Sequence, residues 1–208
     1  MASTNDELVD ELTKGGYLKT PTLIEAFREV NRADFVPEGL KKDAYMNVPL
    51  PIGFDQTISQ PLTVAFMLEL LLPQPGERIL DVGTGSGWQA VLLAHTVGDS
   101  GKVIGIERIP ELKEMADRHI AQYKNLRDKI EIILGDGSKG YEEGAPYDKI
   151  IAAATAEEIP SAWKEQLKAG GIIVAPVGDS IMTLSKITAD KFETKEYYGF
   201  SFVPLISD

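Results

Sequence analysis

The chain has no cysteine among its 208 residues. Disulfides, thiolate metal sites and cysteine nucleophiles are therefore excluded. Histidine is almost as scarce, with only His95 and His119 present, so no metal site is expected. No run approaches the roughly 18 apolar residues of a membrane-spanning helix, and no membrane partner is expected. Residues 1–7 are polar and acidic, unlike a secretory signal, so the expected location is cytoplasmic. Positive charge is also short: 21 Lys and Arg face 32 Asp and Glu, a net charge of −11. Phosphate backbones repel such a surface, which disfavours a broad nucleic-acid footprint and leaves room only for a small basic patch. Apolar residues make up 43%, an ordinary share, and the length suits one α/β domain with a proper core.

The most informative stretch is Ile79-Leu80-Asp81-Val82-Gly83-Thr84-Gly85-Ser86-Gly87-Trp88. Its apolar start predicts a buried strand, its alternating glycines a tight turn, and Ala90-Val91-Leu92-Leu93-Ala94 a following helix. A glycine turn lets a ligand approach the backbone and aims the free N–H groups of the helix start at it. Dinucleotide sites favour G-x-G-x-x-G, but Trp88 stands where the third glycine would fall. An acid ending the strand before G-x-G-x-G is instead the pattern of S-adenosylmethionine (AdoMet) methyltransferases. Asp81 suits a ligand that carries an ammonium group and a sulfonium. A glycine turn without a ligand is the bland alternative.

Upstream, residues 5–14 form a short amphipathic pattern, ended by Gly15-Gly16. Thr20 and Pro21 are an expected N-cap and first position of a second helix. Residues 43–60 read as a long loop too apolar for disorder, and residues 61–72 as a strongly apolar helix. Beyond Gly87, strands are expected at 103–106, 130–134, 149–153 and 171–175, with helices at 110–123 and 159–168. This alternation predicts a mainly parallel sheet with helices on both faces. Two extended runs, 181–188 and 192–203, predict a C-terminal antiparallel hairpin and bring the sheet to seven strands, in an order left open. One domain is expected: a helical N-terminal extension with a substrate loop (1–75), a cofactor-binding core (76–178) and C-terminal strands (179–208).

Ligands of open α/β sheets sit outside the carboxyl ends of the strands. Asp81 with Gly83, Thr84, Gly85 and Gly87 closes the first strand. Glu107, twenty residues beyond Gly87, closes the second and suits two ribose hydroxyls. Asp136, between Gly135 and Gly137, closes the third; it suits an adenine amino group, with Gly137 leaving room for the ring. Each acid alone has a plain alternative, as a surface or turn residue. Three at successive strand ends point at one crevice and at AdoMet. Ser59-Gln60-Pro61 precedes a helix, so Ser59 is either an N-cap, a hydroxyl near the reacting methyl, or both. Trp88 and Trp163 read as packing groups, with Trp88 near the cofactor as a second possibility. His95 and His119 carry no assigned role.

The chain resembles the protein-L-isoaspartate O-methyltransferase family over nearly its whole length. The resemblance is carried by Arg32-Ala33-Asp34-Phe35-Val36-Pro37, Pro49-Leu50-Pro51-Ile52-Gly53 and, most specifically, Gln56-Thr57-Ile58-Ser59-Gln60-Pro61. The glycine motif, Ile106-Glu107-Arg108, Gly135-Asp136-Gly137 and Phe202-Val203-Pro204-Leu205 continue it. It implies a Rossmann-like AdoMet-dependent methyltransferase fold and AdoMet as cofactor, with S-adenosyl-L-homocysteine as product. It also implies isoaspartyl peptides and proteins as substrates, Ser59 as the active-site serine, and Thr57, Ile58 and Ser59 as the substrate segment. Asp81, Gly83, Gly85, Glu107, Asp136 and Gly137 fall on the family's cofactor contacts. Phe54-Asp55 stands where Tyr-Gly is common, Trp88 where Tyr is common, and Leu62 where a larger polar or aromatic residue often follows the proline.

The chemistry this implies is methyl transfer to a free α-carboxylate. That group has a pKa near ~3.5 and is ionised at neutral pH, so no general base is needed. Placement then does the catalytic work, with water excluded under the 43–60 loop. The rivals are an AdoMet methyltransferase for a small molecule or RNA, a non-catalytic AdoMet-binding paralogue, and a nicotinamide dehydrogenase.

Overall fold

A computed structural model describes residues 2–207. Met1 and Asp208, the ends of the single unit expected from sequence, lie outside the described residues. Seven strands form one sheet: β3 (Arg78–Val82), β4 (Lys102–Glu107), β5 (Ile130–Leu134), β6 (Tyr147–Ala152), β7 (Leu167–Val177), β8 (Ser180–Lys186) and β9 (Phe192–Tyr198). Their spatial order is β5-β4-β3-β6-β7-β8-β9, with β3 to β7 parallel and β8 and β9 antiparallel. The α/β expectation and the C-terminal hairpin both hold. The order reverses between β3 and β6, where a doubly wound sheet leaves its ligand crevice.

Alternate residues of a strand face opposite sides, and here both sides are covered. Ile79, Val103, Ile132, Ile151 and Val174 enter one core with the helices α1 (Asn5–Lys14), α2 (Pro21–Glu29), α3 (Pro61–Leu71), α4 (Trp88–Val97) and α5 (Pro110–Ile120). Their neighbours Leu80, Ile104, Ile150 and Ile173 enter a second core with Trp163 of α6 (Ser161–Gln166). Burial on both faces explains why these strands read as continuous apolar runs rather than alternating ones. Among the described residues no helix is long and apolar enough to cross a membrane.

Four expectations are corrected. Residues 43–60 are not only loop: they carry a hairpin, β1 (Leu50–Gly53) and β2 (Gln56–Ile58), paired antiparallel. Its turn residues Phe54 and Asp55 take left-handed φ values of 54° and 56°, a conformation the sequence gives little reason to expect of a phenylalanine. Thr20 does sit at the N-cap of α2, but its side chain makes no cap bond. Its hydroxyl instead donates to Glu69 Oε2 of α3 at 2.8 Å, and its backbone N–H donates to Glu69 Oε1 at 2.7 Å. The helix expected over 159–168 is confined to Ser161–Gln166 by Pro160 before it and by the early start of β7 after it. The run expected over 192–203 ends at Tyr198, where Gly199 at φ 96° turns the chain out of the sheet.

Candidate active site

The carboxyl ends of β3, β4 and β6 open into one cavity, walled by Gly83 and Gly85, Glu107, Gly137, and Ala153 and Ala154. Its roof comes from two segments distant in sequence. Ile52, Gln56 and Thr57 belong to the hairpin, and Val203 to Ile206 to the C-terminal tail. The tail is pinned there by Thr155 N–H donating to Val203 O at 2.8 Å and Leu205 N–H donating to Thr155 O at 2.7 Å. Arg108 Nη1 adds a bond to Ile206 O at 2.8 Å. Sequence reading missed this wall, because an apolar run after a strand reads most simply as more strand.

The glycine turn is held from the β4 side. Gly83 and Thr84 N–H groups donate to Ile106 O, at 2.9 and 3.1 Å. Glu107 is 6% exposed, and its two carboxylate oxygens accept from Gly85 N–H at 2.9 Å and Ile109 N–H at 3.0 Å. Each oxygen keeps a lone pair for a hydroxyl ligand, so the acid is oriented before any ligand arrives. Gly85 at φ 57° takes the left-handed form that lets its backbone border the cavity. Gly87 does not border the cavity: it is the N-cap of α4 at φ 94°, a left-handed conformation that favours glycine, and it faces Ala116 and Ile120 of α5.

Asp81 is fully buried behind the turn. Its Oδ1 accepts from Gln89 Nε2 at 2.6 Å, while Oδ2 has no partner among the described residues. Burial pushes this carboxyl up to about 6, opposed by the hydrogen bonds of Gln89 and Thr84 and reinforced by the charge of Glu107. A buried, unpartnered acceptor next to a cavity suits an ammonium group. Asp136 accepts from Ser138 N–H at 2.9 Å and Ser138 Oγ at 2.7 Å, with Lys139 Nζ 3.3 Å away. Its side chain is turned into its own loop, and its glycine neighbours form the cavity wall. A Cβ at Gly137 would lie 2.5 Å from Val82 Cγ1, so β3 sets the need for glycine there. Trp163 Nε1 braces the same residue by donating to Gly137 O at 2.8 Å.

Ser59 lies just beyond β2. It is not the helix cap: Gln60 holds that position and makes no side-chain cap bond. Among the described residues, Ser59 Oγ has no hydrogen-bond partner. It stands where two spaces meet. One is a recess between Thr84, Trp88 and Gln89, which shares Thr57, Gly83, Gly85 and Ala153 with the strand-end cavity. The other is an outer groove of about 470 Å³ between Pro49, Gln60, Thr63, Phe200 and Phe202. Thr57, Ser59 and Ala153 border both. Ile58 points inward, 5% exposed, and packs in the core behind the recess.

Two further residues support this arrangement. His119 Nδ1 lies 2.8 Å from Ser86 O; a carbonyl only accepts, so the ring nitrogen donates. This bond ties the glycine turn to α5, and burial lowers the pKa of the imidazole. Arg32 is wholly buried and binds the backbone around Ser59. In the sequence it opens the Arg32–Pro37 segment that carries the family resemblance, but nothing there assigns it a role.

A doubly wound sheet whose glycine turn, strand-end acid and buried aspartate converge on one crevice defines the class: an AdoMet-dependent methyltransferase. The protein-L-isoaspartate(D-aspartate) O-methyltransferase family profile matches residues 3–208. A protein-L-isoaspartate O-methyltransferase of Ignicoccus hospitalis is 44% identical over the whole of both chains. Protein-L-isoaspartate O-methyltransferase 2 of Archaeoglobus fulgidus is 50% identical over 87% of this chain and 83% of its own. The chain belongs to the protein-L-isoaspartate(D-aspartate) O-methyltransferase family. A Plasmodium falciparum structure described as that enzyme, in complex with S-adenosyl-L-homocysteine, superposes with a TM-score of 0.90 at 23% identity over all of both chains.

Proposed function

We propose that the chain methylates the free α-carboxylate of L-isoaspartyl residues in damaged proteins and peptides, with Ser59 as the residue that orients that carboxylate. The observation that carries this reading is the place of Ser59 Oγ, unpartnered at the junction of the outer groove and the cofactor recess. AdoMet, when bound, supplies a methyl group on a positively charged sulfur. Glu107 holds the ribose and Asp81 the ammonium group, while Asp136 fixes the Gly135–Gly137 turn whose two glycines border the space for the adenine. Gly83, Thr84 and Gly85 supply the close backbone approach, and Gly87 lets α5 support them.

Thr57 and Ile58 present Ser59, whose hydroxyl donates to one carboxylate oxygen and leaves the other free to attack. The carboxylate is ionised throughout the physiological range, so no residue has to remove a proton. The hairpin and the tail exclude water, which strengthens the Ser59 hydrogen bond. Among the described residues the groove has no charged lining residue, so it admits an isoaspartyl peptide without selecting strongly for flanking charge. The net charge of −11 disfavours nucleic acid as partner, and the absence of cysteine suits a cytoplasmic setting.

The test compares a short isoaspartyl peptide with its aspartyl twin, using radiolabelled AdoMet. Label should enter only the first. A hydrogen bond to a charged group contributes about 1.5–3 kcal/mol, so Ser59→Ala should lower kcat about 10- to 100-fold. AdoMet affinity by calorimetry should stay within about twofold. Parental kcat in Ser59→Ala would remove the assigned role.

A further inference from the structure

Arg32 is fully buried, yet among the described residues no carboxylate pairs with it. Its Nη1 donates to Ala44 O at 2.7 Å and Met46 O at 3.3 Å. Its Nη2 donates to Val48 O and to Ser59 O, both at 3.0 Å. Its guanidinium carbon lies 5.3 Å from the ring centroid of Trp88, the residue that follows the glycine turn. Trp88 is itself 3% exposed, with Phe27 edge-on at 5.6 Å. Burial pushes the Arg32 guanidinium down to about 9, which leaves it cationic at neutral pH.

We infer that Arg32 is a positioning residue for the methyl transfer, fixing Ser59 against the cofactor motif through a backbone-carbonyl clamp backed by Trp88. The inference rests on the reading of Ser59 given above. Four carbonyls from residues 44, 46, 48 and 59 converge on one planar fork. The fork ties the segment before the hairpin to the residue after it, and both ends of the hairpin are thereby fixed. The ring of Trp88 supplies the face on which the cation rests, so the clamp is referenced to α4 and not to the hairpin alone. A planar group with donors on two sides can span such a set, whereas an ammonium is a single point that cannot reach all four. An apolar side chain in this place would leave those carbonyls without their donors, at a desolvation cost for each that stays buried. The choice of a buried cation is explained by what the carbonyls belong to: the segment that presents Ser59.

The test is a double-mutant cycle between Arg32→Lys and Ser59→Ala, with initial rates on an isoaspartyl peptide, AdoMet affinity by calorimetry, and melting temperature for each protein. A displacement of about 1 Å in a positioned group can cost about 100-fold in rate. Arg32→Lys is therefore expected to lower kcat/KM for the peptide at least tenfold while AdoMet affinity stays within threefold. In the Ser59→Ala background the same change should cost less than threefold, because the group being positioned is gone. A loss of equal size in both backgrounds, or one matched by weakened AdoMet binding, overturns the inference and leaves Arg32 a structural residue. If Ser59→Ala alone retains the parental rate, it is the reading of Ser59 that falls. Should Arg32→Lys not fold, Trp88→Leu removes the aromatic face while leaving all four carbonyl bonds. Its cycle with Ser59→Ala is read by the same criteria.

Discussion

Asp81→Asn should separate what the buried carboxylate does for binding from what it costs the fold. In the unfolded chain this carboxyl titrates near 3.8, and in the folded protein burial raises it to about 6. A folded-state value above the unfolded one means that the folded state holds the proton more tightly. Its contribution to stability is fully present below pH 4 and is lost as pH rises through about 6. At 1.36 kcal/mol per tenfold, the ionised form costs the folded protein about 3 kcal/mol at neutral pH. Asparagine removes that cost and keeps the acceptor for Gln89 Nε2. It also places an amide N–H₂ where Oδ2 stands unpartnered, at about 1–3 kcal/mol. The net gain at pH 7 is therefore only about 1 kcal/mol, and the sharper quantity is the pH dependence. Urea titrations of both proteins without AdoMet should show the variant gaining about 2 kcal/mol on the parent between pH 4.5 and pH 7.5, because about 1 kcal/mol of the cost is already present at pH 4.5. Titrating groups that do not interact with Asp81 cancel in that comparison. With saturating AdoMet the gain should disappear, and affinity for AdoMet should be about 10- to 100-fold weaker in the variant, as expected for losing a charged hydrogen bond. A stability difference that stays flat with pH would refute the buried, unpaired carboxylate.

Two other perturbations test the walls of the same cavity. Glu107→Gln keeps one acceptor for the Gly85 or Ile109 N–H group but loses the second, so calorimetry should show AdoMet binding about tenfold weaker. Unchanged binding would place the ribose elsewhere. Replacing the hairpin turn by Phe54→Asn with Asp55→Gly matches residue type to two left-handed positions and should stabilise the protein by about 1–2 kcal/mol. A lower melting temperature would mean that Phe54, half exposed, makes contacts that outweigh its strain.

Much of this molecule is legible in the chain because strong local signals agree with the global fold. Strands β3, β4 and β6 each carry a buried apolar run, since helices cover both faces, and Gly83, Glu107 and Ala153, at or just after their ends, border the crevice. What escaped the sequence depends on long-range contacts that leave no periodic trace. Arg32 matters through carbonyls up to 27 residues away, and carbonyls carry no residue identity. The tail matters through Thr155, on the far side of two intervening strands. Glu69 outcompetes the helix N-terminus for the Thr20 hydroxyl, a preference visible only once α2 and α3 are packed. Gly87 reads as a cofactor residue from its spacing, yet what demands glycine there is the left-handed φ of 94° at the start of α4.

The tail after Gly199 forms a wall common to the cofactor cavity and the outer groove, with Val203 bordering both. A shared wall makes the two ligands thermodynamic neighbours. Whatever placement of Val203 one ligand favours is felt by the other, and the linkage is mutual: the factor by which AdoMet alters peptide affinity equals the factor by which the peptide alters AdoMet affinity. Three hydrogen bonds at Thr155 and Arg108 hold that shared wall in place.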